Sequence, residues 1–187
     1  MSQKFVPHPG KISPEGCISL IGMAAAGKTT IGRELSQLID WPQMDADHLI
    51  EATYGGELQQ IANLLSKEAF LDLEARIICS IKVQHTIIST GGSVVYRAKS
   101  MVHLAKLGPI IYIDAPLDTI LKRIARKPDR GLAIAPGQTI EDLFNERKQL
   151  YEASTTLRIL GGDEPPSLYA HKAVELLQEK GLVQTKS

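Results

Sequence analysis

Gly22-Met-Ala-Ala-Ala-Gly27-Lys28-Thr29 has the spacing G-x-x-x-x-G-K-[ST], directly after an apolar run and at the start of a segment with helical period. Glycine at both ends lets successive backbone N–H groups turn inward on phosphate oxygens, and the start of a helix adds positive potential there. Lys28 is placed to neutralise β- and γ-phosphates, and Thr29 to offer a hydroxyl to Mg²⁺. Gly22, Ala24, Ala25, Ala26, Gly27, Lys28, Thr29 and Thr30 are therefore the expected nucleotide contacts. The competing reading is a glycine-rich turn that binds nothing, but motif and context agree on phosphate.

Asp45-Ala-Asp47 follows a short strand just after that helix. Alternate strand residues put both carboxylates on one side at the C-terminal edge of a sheet, where ligands of open α/β folds bind. One carboxylate suits a magnesium shell, and the other suits an acceptor hydroxyl that must be oriented or deprotonated. The alternative is an acidic turn that caps the helix after it. Thr90-Gly91-Gly92-Ser93, after the third apolar run, offers close backbone approach at the same edge or an ordinary turn.

The elements that must hold these residues alternate short β-branched runs with longer helical segments, the pattern of parallel strands joined by crossover helices. Strands are expected at 17–21, 43–45, 86–89, 109–113 and 157–160. Helices are expected at 29–39, around Leu58 to Leu65, and at 68–81, 97–107, 117–126, 140–151 and 168–180. Residues 1–14 carry three prolines and no period and read as a tail, which leaves 15–187 as one α/β domain. The stretch 127–138, with two prolines and two glycines between helices, reads as a mobile lid carrying Lys127 and Arg130.

Composition narrows the class of function. Among 187 residues, 21 Lys and Arg balance 21 Asp and Glu, which removes the electrostatic case for nucleic-acid or anionic-membrane partners. The 43% hydrophobic content is that of a globular chain. No apolar run approaches the roughly 18 residues that span a bilayer. The two cysteines, Cys17 and Cys79, form no metal or disulfide pattern, so a reducing, cytoplasmic setting is expected; a monomer or weak dimer is the expected state. A guanine-reading Asn-Lys-x-Asp motif is missing from the sequence, and no residue is evident for aligning a hydrolytic water. Phosphoryl transfer to a small acceptor is the class that remains.

In order and spacing these pieces resemble the shikimate kinase family. The resemblance runs through the phosphate loop with Gly32 and Arg33, Asp45 to Glu51, Phe70 with Glu74, Thr90-Gly91-Gly92, Arg130, and Arg147-x-x-Leu-Tyr151. It covers about residues 16 to 160. It implies a three-layer α/β/α P-loop kinase fold with a five-stranded parallel sheet and a lid, and ATP and Mg²⁺ as co-substrates. By position it implies Lys28 and Arg130 at the transferring phosphoryl, Thr29 and Asp45 at magnesium, and Asp47 at the acceptor hydroxyl. Gly91, Gly92 and Arg147 would bind the acceptor, with Arg147 on its carboxylate, and Arg123 would lie near adenine.

Three positions depart from the family. The arginine that follows the phenylalanine and grips the acceptor carboxylate is Leu71 here, the third glycine is Ser93, and the lid's Arg-Pro is Arg130-Gly131. Glu74 lies one helical turn from Leu71 and lacks the arginine it pairs with in the family. A carboxylate so placed accepts a substrate ammonium, so a hydroxy amino acid such as homoserine stands beside shikimate as the acceptor. Arg76 or solvent is the bland partner for Glu74. A nucleotide-dependent regulator without turnover is the reading from a different class.

Overall fold

The computed structural model describes residues 16–126, 134, 137–155 and 157–182. The expected tail, Lys127, Arg130 and Gly131, and with them most of the expected lid, lie outside these residues.

β1 (Ile18–Ile21), β3 (Ile87–Ser89) and β4 (Ile110–Asp114) are buried along their whole length. This is what near-continuous apolar runs require when both faces of a parallel sheet are covered. β2 (Gln43–Asp45) and β5 (Leu157–Leu160) form the two edges, and β5 alternates buried and exposed positions. All neighbouring strands pair in parallel, in the order β2-β3-β1-β4-β5. The chain winds from β1 out to β2, back to β3, and then crosses to β4. The direction of winding therefore reverses beside β1, and in such sheets the ligand crevice opens at the C-terminal ends of the strands on either side of that point.

Among the described residues the helices are α1 (Lys28–Ile39), α2 (Ala46–Tyr54), α3 (Leu58–Asn63), α4 (Lys67–Ser80), α5 (Ala98–Leu107), α6 (Leu117–Ala125), α7 (Ile140–Ser154) and α8 (Pro166–Glu179). α1 packs against α8, and α4 against α5, giving the expected three layers. A helix after Asp45 is expected only as the alternative to a chemical role for the two aspartates. It is present as α2, and Asp45 caps it by accepting the Asp47 N–H at 3.0 Å. A capping box of Thr139 and Asp142 starts α7, pinning that helix just after the lid segment. No helix among the described residues is long and apolar enough to cross a membrane.

The main core lies between the sheet and its helices and includes Leu20, Ile21, Leu35, Ile88, Ile111, Leu104 and Leu177. Leu35 is fully buried on the face of α1 turned to that core. Removing three carbons there leaves a void the sheet cannot fill. Leu35→Ala is expected to lower unfolding free energy by about 3 kcal/mol in urea denaturation, a cost in the usual range for buried leucines.

Candidate active site

The loop after β1 turns on two unusual conformations. Gly27, at φ 98°, forms the N-cap of α1, and Ala25 sits at φ 65°. Glycine reaches such angles without strain, whereas for alanine they cost about 1 kcal/mol. The loop is held by the Ala26 N–H donating to Met23 O at 3.1 Å. Lys28 folds back over it, donating to Gly22 O at 2.8 Å and Met23 O at 2.9 Å. Gly22 therefore serves through its carbonyl, while Ala24, Ala25, Gly27, Lys28, Thr29 and Thr30 line a cavity of about 590 Å³. Ala26 lines a second cavity instead.

The acidic edge is built from two elements, which corrects the expectation that two-residue alternation past the strand end brings the aspartates together. Asp45 ends β2 in register with Ser89 of β3, while Asp47 stands in the first turn of α2. The start of a helix brings the two carboxylates into one cavity, without the alternation of a strand. Asp45 uses both carboxylate oxygens. Its Oδ1 accepts the Asp47 N–H, and its Oδ2 accepts the Thr29 hydroxyl at 2.6 Å. Gln43 backs this pair from β2, donating to Thr29 O at 2.7 Å and Ser89 Oγ at 3.2 Å. Burial pushes the Asp47 carboxyl up to about 6, with the Asp45 charge adding to the rise and Lys28 opposing it.

The far wall is α4 and the turn after β3. Glu74 is 3% exposed and faces the same cavity. A Cβ on Gly91 would collide with Glu74 Oε1 and lie 2.7 Å from Asp47 Oδ1, so the missing side chain is what lets both carboxylates close on this turn. A Cβ on Gly92 would lie 3.0 Å from Arg147 Nη1. Burial pushes the Glu74 carboxyl up to about 7, and Asp47 adds to the rise. Against it act a hydrogen bond from the Ser93 hydroxyl and the charges of Arg147 and Lys28. Ser93 thus gives this position a use that a third glycine lacks. Arg76 does not satisfy Glu74, as expected of the bland reading; it reaches Tyr54 Oη at 3.4 Å.

Leu71 is the second correction. It is 2% exposed and does not line the cavity, which Phe70 and Glu74 reach from the same helix. Arg147, also 2% exposed, is carried by α7 into the cavity. Its Nε donates to Tyr96 Oη at 3.3 Å, and its guanidinium lies 5.2 Å from the Tyr96 ring centre. One turn on, Tyr151 donates to Gly92 O at 2.5 Å and stacks on Tyr112, with ring centres 5.0 Å apart.

The second cavity, of about 320 Å³, lies on the other side of the phosphate loop. Arg123 spans its wall, donating to Ala25 O at 3.2 Å, Ala26 O at 3.3 Å and Gly162 O at 2.5 Å. Pro166, Glu164 and Tyr169 complete it. Sequence reasoning finds Arg123 but none of these three, because no motif links them to the loop. It also misses Tyr96, which stands 51 residues before the arginine it orients.

The carboxylate pair leaves a measurable trace on stability. The folded chain holds a proton on Glu74 more tightly than the unfolded chain, whose value is near 4.5. Stability is therefore full below that value and falls as pH rises toward 7. Glu74→Gln keeps the shape and removes the titration. It is expected to be more stable than the parent by about 3 kcal/mol near pH 8, with the gain shrinking to nearly nothing near pH 4. Urea denaturation at the two pH values checks this, and a gain independent of pH would show that Glu74 is not the group responsible.

Comparison with known proteins agrees with this geometry. Residues 24–178 match the family model described as shikimate kinase. A shikimate kinase of Paracidovorax citrulli is 31% identical over 170 residues, covering 87% of this chain and 93% of the relative. Shikimate kinase 1 of Escherichia coli is 30% identical over 165 residues, covering 86% and 95%. Among solved structures, shikimate kinase from Acinetobacter baumannii in complex with shikimate superposes with a TM-score of 0.81 at 27% identity, over 91% of this chain and 97% of that one. The Aquifex aeolicus enzyme superposes with a TM-score of 0.71 at 25% identity, over 90% and 99%. On the family match over residues 24–178 and these relatives, the chain belongs to the shikimate kinase family and is an ATP-dependent kinase of a small-molecule hydroxyl.

Proposed function

We propose that this chain transfers the γ-phosphoryl group of ATP to a hydroxyl of a small carboxylic acid, the carboxylate being held by Arg147. The observation that carries this reading is a guanidinium at 2% exposure in the same cavity as Lys28 and Asp47. A buried cation of planar, forked geometry is the natural partner of a carboxylate. Shikimate, which the solved Acinetobacter relative holds, is an acid of this kind and the first acceptor to supply.

The roles follow from position. Loop amides and the start of α1 receive the phosphates, and Lys28 sits at their mouth. Thr29 and Asp45 offer two oxygens side by side, a donor set that suits Mg²⁺ because this ion keeps waters and phosphate oxygens as its other ligands. Bound there, Mg²⁺ would supply charge neutralisation to the β- and γ-phosphates. Asp47 orients the acceptor hydroxyl and takes its proton as the acceptor oxygen bonds to the γ-phosphorus and the bond to the β–γ bridging oxygen breaks, releasing ADP. At neutral pH a carboxyl near 6 is mostly ionised and is still basic enough to take that proton. Arg123 and Pro166 bound the second cavity, on the side suited to the base of the nucleotide. The role assigned to Arg130 concerns a residue outside the described set. Phosphate-side and acceptor-side groups meet in one cavity, which favours turnover over a regulator that only binds nucleotide.

Arg147→Met is expected to raise the KM for the acceptor about 100-fold while the KM for ATP stays within about threefold. Asp47→Asn is expected to lower kcat by about 100-fold or more with ATP affinity intact. Steady-state ADP formation and calorimetric titration with ATP measure both. An Arg147→Met enzyme with unchanged acceptor KM would remove the carboxylate assignment.

A further inference from the structure

Three charged groups meet over two consecutive glycines. Glu74 and Asp47 close on Gly91, and Arg147 lies beside Gly92. An acceptor carboxylate answers Arg147 but brings a third negative charge to a place that already holds two. Among the described residues no ion pair of 4 Å or less engages Glu74 or Asp47. Arg147 and Lys28 act on Glu74 through their charges without an ion pair of 4 Å or less, and Arg147 is the group that an acceptor carboxylate would answer. Lys28 is bonded to the carbonyls of its own loop, and His48 on α2 is exposed. Asp45, Glu51 and Glu57, which also line the cavity, add negative charge. On α4, the turn before Glu74 contributes the buried, apolar Leu71 and no cation.

We infer that the acceptor carries a primary ammonium next to its carboxylate, so that the substrate class is a hydroxy amino acid phosphorylated on its side-chain hydroxyl. The ammonium sits on Glu74, the carboxylate on Arg147 and the hydroxyl on Asp47. Two opposite charges on a single carbon suit receptors placed over adjacent residues, and the short side chain beyond that carbon leads the hydroxyl toward Asp47 and the phosphate loop. This rests on the phosphotransfer reading above and narrows its acceptor. The reaction balances as before: the side-chain oxygen gains the phosphoryl group, ADP leaves, and the hydroxyl proton passes to Asp47. Burial and Asp47 together make Glu74 hold a proton near neutral pH, so an arriving ammonium displaces that proton and the pair keeps one positive partner throughout.

The test uses the full chain with ATP and Mg²⁺ near pH 8, where Glu74 is ionised, and follows ADP formation with L-homoserine, L-serine, 4-hydroxybutyrate, shikimate and no acceptor. 4-Hydroxybutyrate is homoserine without its ammonium. One of the amino acids is expected to exceed 4-hydroxybutyrate and shikimate by about 100-fold in kcat/KM, since a site built for a polar group rejects the analogue that lacks it. Glu74→Gln is expected to reduce that ratio to about tenfold or less, through the KM for the amino acid and with the KM for ATP unchanged. Shikimate or 4-hydroxybutyrate used as well as the amino acids would overturn the inference and leave the phosphotransfer reading standing. ATP binding without ADP formation from any acceptor would overturn both.

Discussion

Parallel strands share one polarity, so every loop that follows a strand in this sheet leaves from the same edge. The phosphate loop after β1, Asp45 at the end of β2 and the Gly91-Gly92 turn after β3 are neighbours because their strands are. Register makes the constraint specific: Ser89 stands opposite Leu20 on one side and Asp45 on the other. The apolar strands therefore do more than fill a core. They set the level at which a lysine, two aspartates and a pair of glycines can meet, and α4 and α7 then have only to bring Glu74 and Arg147 over that line.

What gathers there is unfavourable by itself. Asp45, Asp47 and Glu74 are among five carboxylate residues that line one cavity, where burial disfavours charge on Asp47 and Glu74. The fold accommodates them with fixed polar partners: the Thr29 hydroxyl and a helix N–H for Asp45, and the Ser93 hydroxyl for Glu74. Arg147 is aligned by Tyr96, while Tyr151 ties its helix to the glycine turn. A site that holds like charges close together is less stable than an apolar one of the same shape, and sites of this sort are where proteins forgo stability for function.

Much of this was legible in the residues. The phosphate loop announces itself because its spacing is dictated by backbone geometry around phosphate, and five strands are visible because buried parallel strands must be apolar. Asp45, Asp47, Gly91 and Gly92 stand out by their place after a strand, Glu74 and Arg147 through the family resemblance, and all six line the cavity. The errors share one cause. Period alone does not say where a strand stops and a helix starts, so alternation is the wrong reason for Asp47 to face Asp45: it stands in the first turn of α2. Nor does it say how far a helix is rotated, so Leu71 was read as facing a cavity that Phe70 lines instead. Tyr96 and the wall of Glu164, Pro166 and Tyr169 have no local signal at all, since only tertiary folding brings them to their partners.

Asp45 joins the two halves of the cavity through a single residue. One of its oxygens meets the hydroxyl on the nucleotide side, and the other holds the amide of the very residue assigned to the acceptor hydroxyl. A pull on that carboxylate from the nucleotide side reaches Asp47 through one hydrogen bond, with no moving domain in between. By thermodynamic reciprocity an acceptor that draws on Asp47 must alter the grip on the nucleotide side to the same degree. Any coupling between the two proposed co-substrates through Asp45 would therefore run through the cap of a nine-residue helix.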